Sequence, residues 1–157
     1  MSGMELIEFI SNSPSDTIDI GEQIGRFSRI GDLFLLSGEL GSGKTQLVKG
    51  LARGIDVPDW EYVVSPSFTL MNIYEGRFTL CHLDLYRLED ADGGEGLEIE
   101  EFLETGIVAI EWAERRTWWK SSTPLTIESI DENRRIIRME VDDVSRAEIW
   151  RNVSCKS

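Results

Sequence analysis

Eight consecutive residues, Gly38-Glu39-Leu40-Gly41-Ser42-Gly43-Lys44-Thr45, complete the pattern G-x-x-x-x-G-K-[ST]. Glycines at this spacing let the backbone curl so that successive N–H groups converge on an anion, where a Cβ would crowd it. A helix beginning at the end of the loop aims its positive end at the same point. Lys44 then reaches the β- and γ-phosphates of a nucleoside triphosphate, and the Thr45 hydroxyl can ligate Mg²⁺. At this chain's residue frequencies the pattern would arise by chance with a probability of about half a per cent. The spacing therefore predicts triphosphate and Mg²⁺ binding. ATP is the expected nucleotide, and no Asn-Lys-x-Asp signature of guanine reading occurs.

A phosphate loop needs a second acid to complete the metal shell or place a water, and in open α/β sheets such acids stand at the carboxyl ends of strands. Asp84 ends the run Leu80-Cys81-His82-Leu83, and Glu111 follows Ile107-Val108-Ala109-Ile110. Alone, each would read as a helix cap or a solvated acid. The phosphate loop reverses that, because Mg²⁺ must be held by oxygen. His82, the one histidine, reads first as a structural strand residue and only second as a proton shuttle. Trp112 reads equally as site packing or core filling, and Trp118-Trp119 as C-terminal packing or a partner patch.

These residues need elements to position them. Glu5 to Ile10 alternates as an opening strand, and Ser13-Pro14-Ser15-Asp16-Thr17 reads as a turn and helix cap. Ile18, Ile20, Ile24 and Phe27 give the following helix an apolar face, and Gly31-Asp32 breaks it. Leu33 to Leu36 is a continuous apolar run, as in a strand buried on both faces. It leads directly into the glycine-rich loop. Thr45 to Arg53 reads as a helix with Leu47, Val48 and Leu51 inward, ending at Gly54. Tyr62-Val63-Val64 reads as a short extended piece, and Phe68–Tyr74 with Arg77–Tyr86 as a hairpin around Glu75-Gly76. Leu97 to Leu103 suggests a helix, Ile107 to Ile110 a buried strand, and Leu125–Ile130 with Arg135–Val141 two strands about a polar turn at Asp131-Glu132-Asn133. The expected fold is a single α/β domain of the P-loop NTPase type over residues 1–157, with a central, mostly parallel sheet, an antiparallel hairpin and flanking helices.

Composition narrows the class. At 157 residues, 41% apolar and 29% charged, the chain suits one globular domain with a core that needs no staples. Cys81 and Cys155 lack metal-ligand spacing, so both read as thiols in a reducing compartment. Neither a signal peptide nor a membrane-length apolar run is recognisable, and a cytoplasmic location is expected. The net charge of −13 repels a phosphate backbone, which argues against broad nucleic-acid binding by this chain alone.

The segments Gly38–Thr45, Ser65-Pro66-Ser67-Phe68-Thr69-Leu70, His82-Leu83-Asp84-Leu85-Tyr86-Arg87-Leu88 and Ile110-Glu111-Trp112, in that order, resemble the TsaE (YjeE) family of small bacterial ATPases. That family is required for threonylcarbamoyladenosine modification of tRNA. The resemblance runs from about Thr17 to Arg134, and the D-L-Y-R-L and I-E-W segments together make it specific. It implies that Glu39, Leu40, Gly41, Ser42, Gly43, Lys44 and Thr45 hold the triphosphate, with Thr17 near the nucleotide. It further implies Mg²⁺ on Thr45 and Glu111, Asp84 as the acid needed for hydrolysis beside Lys44, and Ser65–Thr69 as a mobile loop over the γ-phosphate. The implied partners are a threonylcarbamoyl transferase subunit and its sugar-kinase-like companion, whose repeated turnover the ATPase cycle supports. Contact with tRNA would come only through that complex, in keeping with the acidic charge. Ser67 stands for the family's usual threonine, Leu83 for phenylalanine, and Glu98 where a glycine is expected after Leu88.

Two other readings stand beside this one. A P-loop kinase for a small metabolite would carry an arginine-bearing lid, whereas Glu89 to Glu104 has eight acids and no base. A nucleotide-dependent switch module with little turnover would use the same site residues.

Overall fold

In the computed structural model, residues 4–39, 41–66, 71–84, 99–111 and 122–154 are described. Seven strands form one sheet in the order β1-β7-β6-β2-β5-β4-β3. They are β1 (Glu5–Ser11), β2 (Leu33–Ser37), β3 (Met71–Glu75), β4 (Thr79–Asp84), β5 (Gly106–Glu111), β6 (Thr123–Ser129) and β7 (Arg135–Val141). The helices are α1 (Pro14–Arg26), α2 (Lys44–Gly54), α3 (Ile99–Leu103) and α4 (Val144–Ser154). The centre, β6-β2-β5-β4, is parallel, while β3 on one side and β7 and β1 on the other run antiparallel to their neighbours. This is the expected α/β architecture, with β6–β7 as a second hairpin.

The strand patterns follow from burial. Leu33 and Leu83 are buried on one face of the sheet, with Cys81, Val108, Ile110 and Ile99 of α3. Phe34, Leu36, Leu80, Ile107 and Ala109 point to the other face, against Leu47, Val48, Leu51 and Ala52 of α2. Strands covered on both faces need apolar residues at every position, which is why β2 and β5 read as unbroken runs. β6, β7 and β1 bury alternate residues instead: Leu125 and Ile127, Ile137 and Met139, Ile7 and Phe9. Each fully buried aliphatic side chain contributes about 1.5–3 kcal/mol, so this layer holds α2 firmly behind the phosphate loop.

α1 starts where expected. Ser13 is its N-cap, accepting from the Asp16 N–H at 3.0 Å, with Pro14 in the first turn. The buried face shares Ile24 with the apolar stripe, and Ile20 packs against the same core, but the rest differs. Thr17, Gly21, Ile24 and Gly25 are buried, and Phe27 lies exposed at the C-cap. The cause is the crossing with α2. A Cβ on Gly50 would lie 2.6 Å from the Gly21 Cα, and one on Gly21 would lie 2.9 Å from the Gly50 Cα. Backbone-to-backbone packing at glycine has displaced the larger residues from the contact. Tyr62 likewise departs from the extended reading, closing a single 3₁₀ turn from Trp60 to Tyr62, after which Val63 is extended and buried.

Sequence reading missed α4. Asp143 caps it, accepting from the Arg146 N–H at 3.2 Å, and Arg146 grips both carboxylate oxygens of Asp32 at 2.7 and 2.6 Å. The Arg146 guanidinium also covers the Trp150 ring at 4.6 Å, and the Trp150 indole N–H donates to the Ile24 carbonyl at 3.3 Å. α4 is thereby fastened to α1 and to the Asp32 turn that leads into β2. Among the described residues no helix is long and apolar enough to cross a membrane.

Candidate functional site

β2 delivers the chain to the loop at its carboxyl end, and α2 leaves from it. Within the loop Gly41 (φ +81°) and Gly43 (φ +112°) occupy the left-handed region that side chains avoid. Among the described residues, added Cβ atoms would meet nothing within 4 Å at Gly41 and only Thr17 Cγ2, at 3.9 Å, at Gly43. These glycines therefore serve backbone conformation rather than space. Ser42 N–H donates to the Glu39 carbonyl at 3.0 Å, and Gly43 is the N-cap of α2. The buried Lys44 ammonium donates to the Gly38 carbonyl and reaches the Glu39 carbonyl at 3.4 Å, so it sits inside the curl of the loop. Thr45 follows in the first turn of α2, half-buried. Leu40 lies outside the described residues.

The sheet brings the two strand-end acids to this loop. β2, β4 and β5 are parallel, so their carboxyl ends share one edge. Glu111 is in register with Leu36 of β2 and with Asp84 of β4. The alternation of side chains puts His82, Asp84 and Glu111 on the face that carries α2. All three are buried, at 0%, 5% and 3% exposure. The His82 Nε2–H donates to Glu111 Oε2 at 2.6 Å, while Nδ1 has no partner among the described residues. The histidine thus fixes the orientation of one acid. On the opposite face of β4, burial pushes the Cys81 thiol up to about 12.

Thr17 reaches the loop from α1. Its hydroxyl is 2.7 Å from that of Ser11, which donates in turn to the Ser13 carbonyl at 2.8 Å. From the other side Arg135 of β7 donates through Nε to the Ser42 carbonyl at 2.9 Å. Neither Ser11 nor Arg135 carries a sequence signal. Arg135 lies 93 residues from Ser42, and only the sheet order brings them together.

The arrangement fits a polyphosphate. The left-handed glycines, the positive end of α2, a lysine held to the loop's own carbonyls and a buried Ser42 hydroxyl with no partner among the described residues all suit an anion. Among the described residues no three His, Cys, Asp or Glu side chains form a metal cluster. The Thr45 hydroxyl and the Glu111 carboxylate suit an ion that also takes phosphate and water oxygens. Residues 67–70, 85–98 and 112–121 lie outside the described residues, and with them Ser67, Thr69, Arg87, Trp112, Trp118, Trp119 and much of the acidic segment. Cys155 does as well.

Comparison with known proteins agrees with this geometry. The sequence profile of the threonylcarbamoyl adenosine biosynthesis protein TsaE matches residues 11–138. A tRNA threonylcarbamoyladenosine biosynthesis protein TsaE from Aquifex aeolicus is 41% identical over 138 residues, covering 87% of this chain and 98% of the relative. Proteins of the same name from a Nostoc species and Bacillus subtilis are 44% and 36% identical, covering 76% and 70% of this chain and 74% and 68% of theirs. In fold, the chain is similar to the crystal structure of Bacillus subtilis YdiB, with a TM-score of 0.73, 24% identity, and 99% and 98% of the two chains covered. With its phosphate loop, its strand-end acids and a profile match across most of its length, the chain belongs to the TsaE family.

Proposed function

We propose that this chain is a single-domain, cytoplasmic, Mg²⁺-dependent P-loop ATPase that supports threonylcarbamoyladenosine modification of tRNA. The observation that carries this reading is the convergence of the Gly38–Thr45 loop with two buried strand-end acids on one edge of the sheet. When bound, Mg²⁺–ATP supplies a phosphoanhydride whose terminal phosphoryl group can pass to water. Residues Glu39 to Thr45 cradle the polyphosphate, with Thr17 beside Gly43 supporting the loop. Lys44 neutralises charge on the β- and γ-oxygens. Thr45 and Glu111 would hold the metal, with His82 keeping Glu111 aimed. Asp84 orients the attacking water and takes its proton.

The partners in this reading are a threonylcarbamoyl transferase subunit and its sugar-kinase-like companion, with tRNA contacted only through them. The names of the relatives support the pathway, and the −13 charge supports leaving RNA contact to the partners. A guanidinium supplied to the γ-phosphate is worth roughly 10³–10⁵ in rate. Arg135 contacts the loop through a carbonyl, so it does not fill that role, and hydrolysis by the chain alone should be slow.

Steady-state phosphate release at saturating ATP, with and without the transferase pair, tests the proposal. Slow release that the pair accelerates is expected. Turnover of several per second by the chain alone, with nothing added by the pair, would remove partner activation. Labelled γ-phosphate appearing on a metabolite would replace the ATPase reading with a kinase.

A further inference from the structure

The Ser42–Gly43 peptide has no internal reason to keep the orientation it shows. Gly43 lacks a Cβ, and φ values of either sign are open to it, so the glycine that permits the loop does not enforce it. A flip of this peptide would exchange the directions of its N–H and its carbonyl oxygen, and a carbonyl oxygen turned toward the anion repels phosphate.

Arg135 supplies the missing constraint. Its Nε donates to the Ser42 carbonyl at 2.9 Å. Its Nη1 donates to three carbonyls of the β6–β7 turn: Asp131 at 2.8 Å, Arg134 at 3.0 Å and Glu132 at 3.4 Å. That turn is itself held. The Asp131 carboxylate accepts from the Asn133 and Arg134 N–H groups at 3.0 and 2.9 Å, and from Arg134 Nε at 2.8 Å. The backbone of Arg135 is paired between Ser11 of β1 and Ser129 of β6. The guanidinium is therefore bolted to the sheet at one end and to the phosphate loop at the other.

In a planar trans peptide the carbonyl and the following N–H point in opposite directions, and no cis bond occurs among the described residues. Drawing the Ser42 oxygen outward to β7 consequently turns the Gly43 N–H the other way, into the loop. We infer that Arg135 is a positioning residue that sets the direction of the Gly43 N–H in the phosphate loop. This rests on reading the loop as a triphosphate cradle.

The test compares Arg135→Met, which keeps the stem and removes the donors, with Arg135→Lys, whose single ammonium cannot span both anchor points. Arg134→Ala serves as the control, because it loosens the same turn without touching Ser42. Binding of fluorescent ADP and ATP analogues is titrated in EDTA, and the Gly43 amide resonance is followed in the nucleotide-free chain. Arg135→Met should weaken both nucleotides by roughly tenfold, the size of one hydrogen bond from a charged donor, and shift or broaden the Gly43 resonance. Arg135→Lys should move both readouts in the same direction by less. Arg134→Ala should stay within about twofold of wild type. Wild-type affinity with an unmoved Gly43 resonance in Arg135→Lys or Arg135→Met would overturn the inference, as would an equal loss in Arg134→Ala. If Arg135→Met does not fold, the lysine variant decides alone. A wild-type chain that binds no nucleotide would sink the ATPase reading, while the Gly43 resonance would still report on the clamp.

Discussion

Glu111 offers the sharpest separation of a metal role from a structural one, because its carboxylate has a partner of its own. Oε2 accepts from the His82 Nε2–H at 2.6 Å in a fully buried setting, and the other imidazole nitrogen has no partner among the described residues. Glu111→Gln keeps a carbonyl oxygen where Oε2 stands, so that hydrogen bond survives while the anion is lost. Glu111→Ala removes both and leaves a buried imidazole N–H unsatisfied, a cost of about 1–3 kcal/mol. For a chain of this length each kcal/mol lowers Tm by about 2–4 °C, so Glu111→Ala should melt about 2–12 °C below wild type. Glu111→Gln should melt close to wild type. Loss of a direct ligand should cost at least what loss of its supporting partner costs, so Mg²⁺-dependent ATP affinity should fall about 10–100-fold in Glu111→Gln. Affinity in EDTA should barely change. Paired titrations in Mg²⁺ and in EDTA, with thermal unfolding of both variants, decide the matter. Equal losses of affinity in the two media, or a Glu111→Gln protein as unstable as Glu111→Ala, would show that the acid only braces β4 against β5.

Three further outcomes are expected. Lys44→Ala should abolish hydrolysis and weaken triphosphate more than diphosphate binding, and a wild-type rate of phosphate release would remove the phosphate-loop assignment. Gly50→Ala should lower Tm although alanine is the better helix former by about 1 kcal/mol, because its Cβ meets backbone atoms of Gly21 and Glu22 at 2.6 and 2.8 Å and overpacking costs about 1–3 kcal/mol or more. Cys81 should resist thiol reagents in the folded chain. Its folded pKa of about 12 lies above the ordinary 9.0, so the folded state binds the proton more tightly and stability should fall as pH rises from 9.0 toward 12. Denaturant melts over that range, compared with Cys81→Ala, would check the slope.

How much of this was legible in the sequence depends on how local each feature is. The phosphate loop is eight contiguous residues whose types answer one chemical demand, so it could be read without knowing anything around it. The unbroken apolar runs of β2 and β5, the alternation in β6 and β7, and the inward Leu47, Val48 and Leu51 of α2 are equally local, since burial on one face or two is written in the period. By themselves these determined the α/β class and marked the glycine-rich loop and the two strand-end acids as candidate site residues. The face that α1 buries was legible only in part: Ile24 and Ile20 meet the core as read, while the close approach at Gly21 and Gly50 was not written in the apolar stripe. α4 escaped notice because its hold on the fold is a salt bridge to Asp32 and an indole hydrogen bond to Ile24, both distant in the chain. Strand order and register were decisive for the site itself. They set Glu111 beside Asp84 and Leu36, gave His82 its carboxylate, and carried Arg135 to the Ser42 carbonyl. Those pairings depend on which strand lies next to which, and a one-residue slip would turn each side chain to the opposite face, so only the folded sheet could decide them.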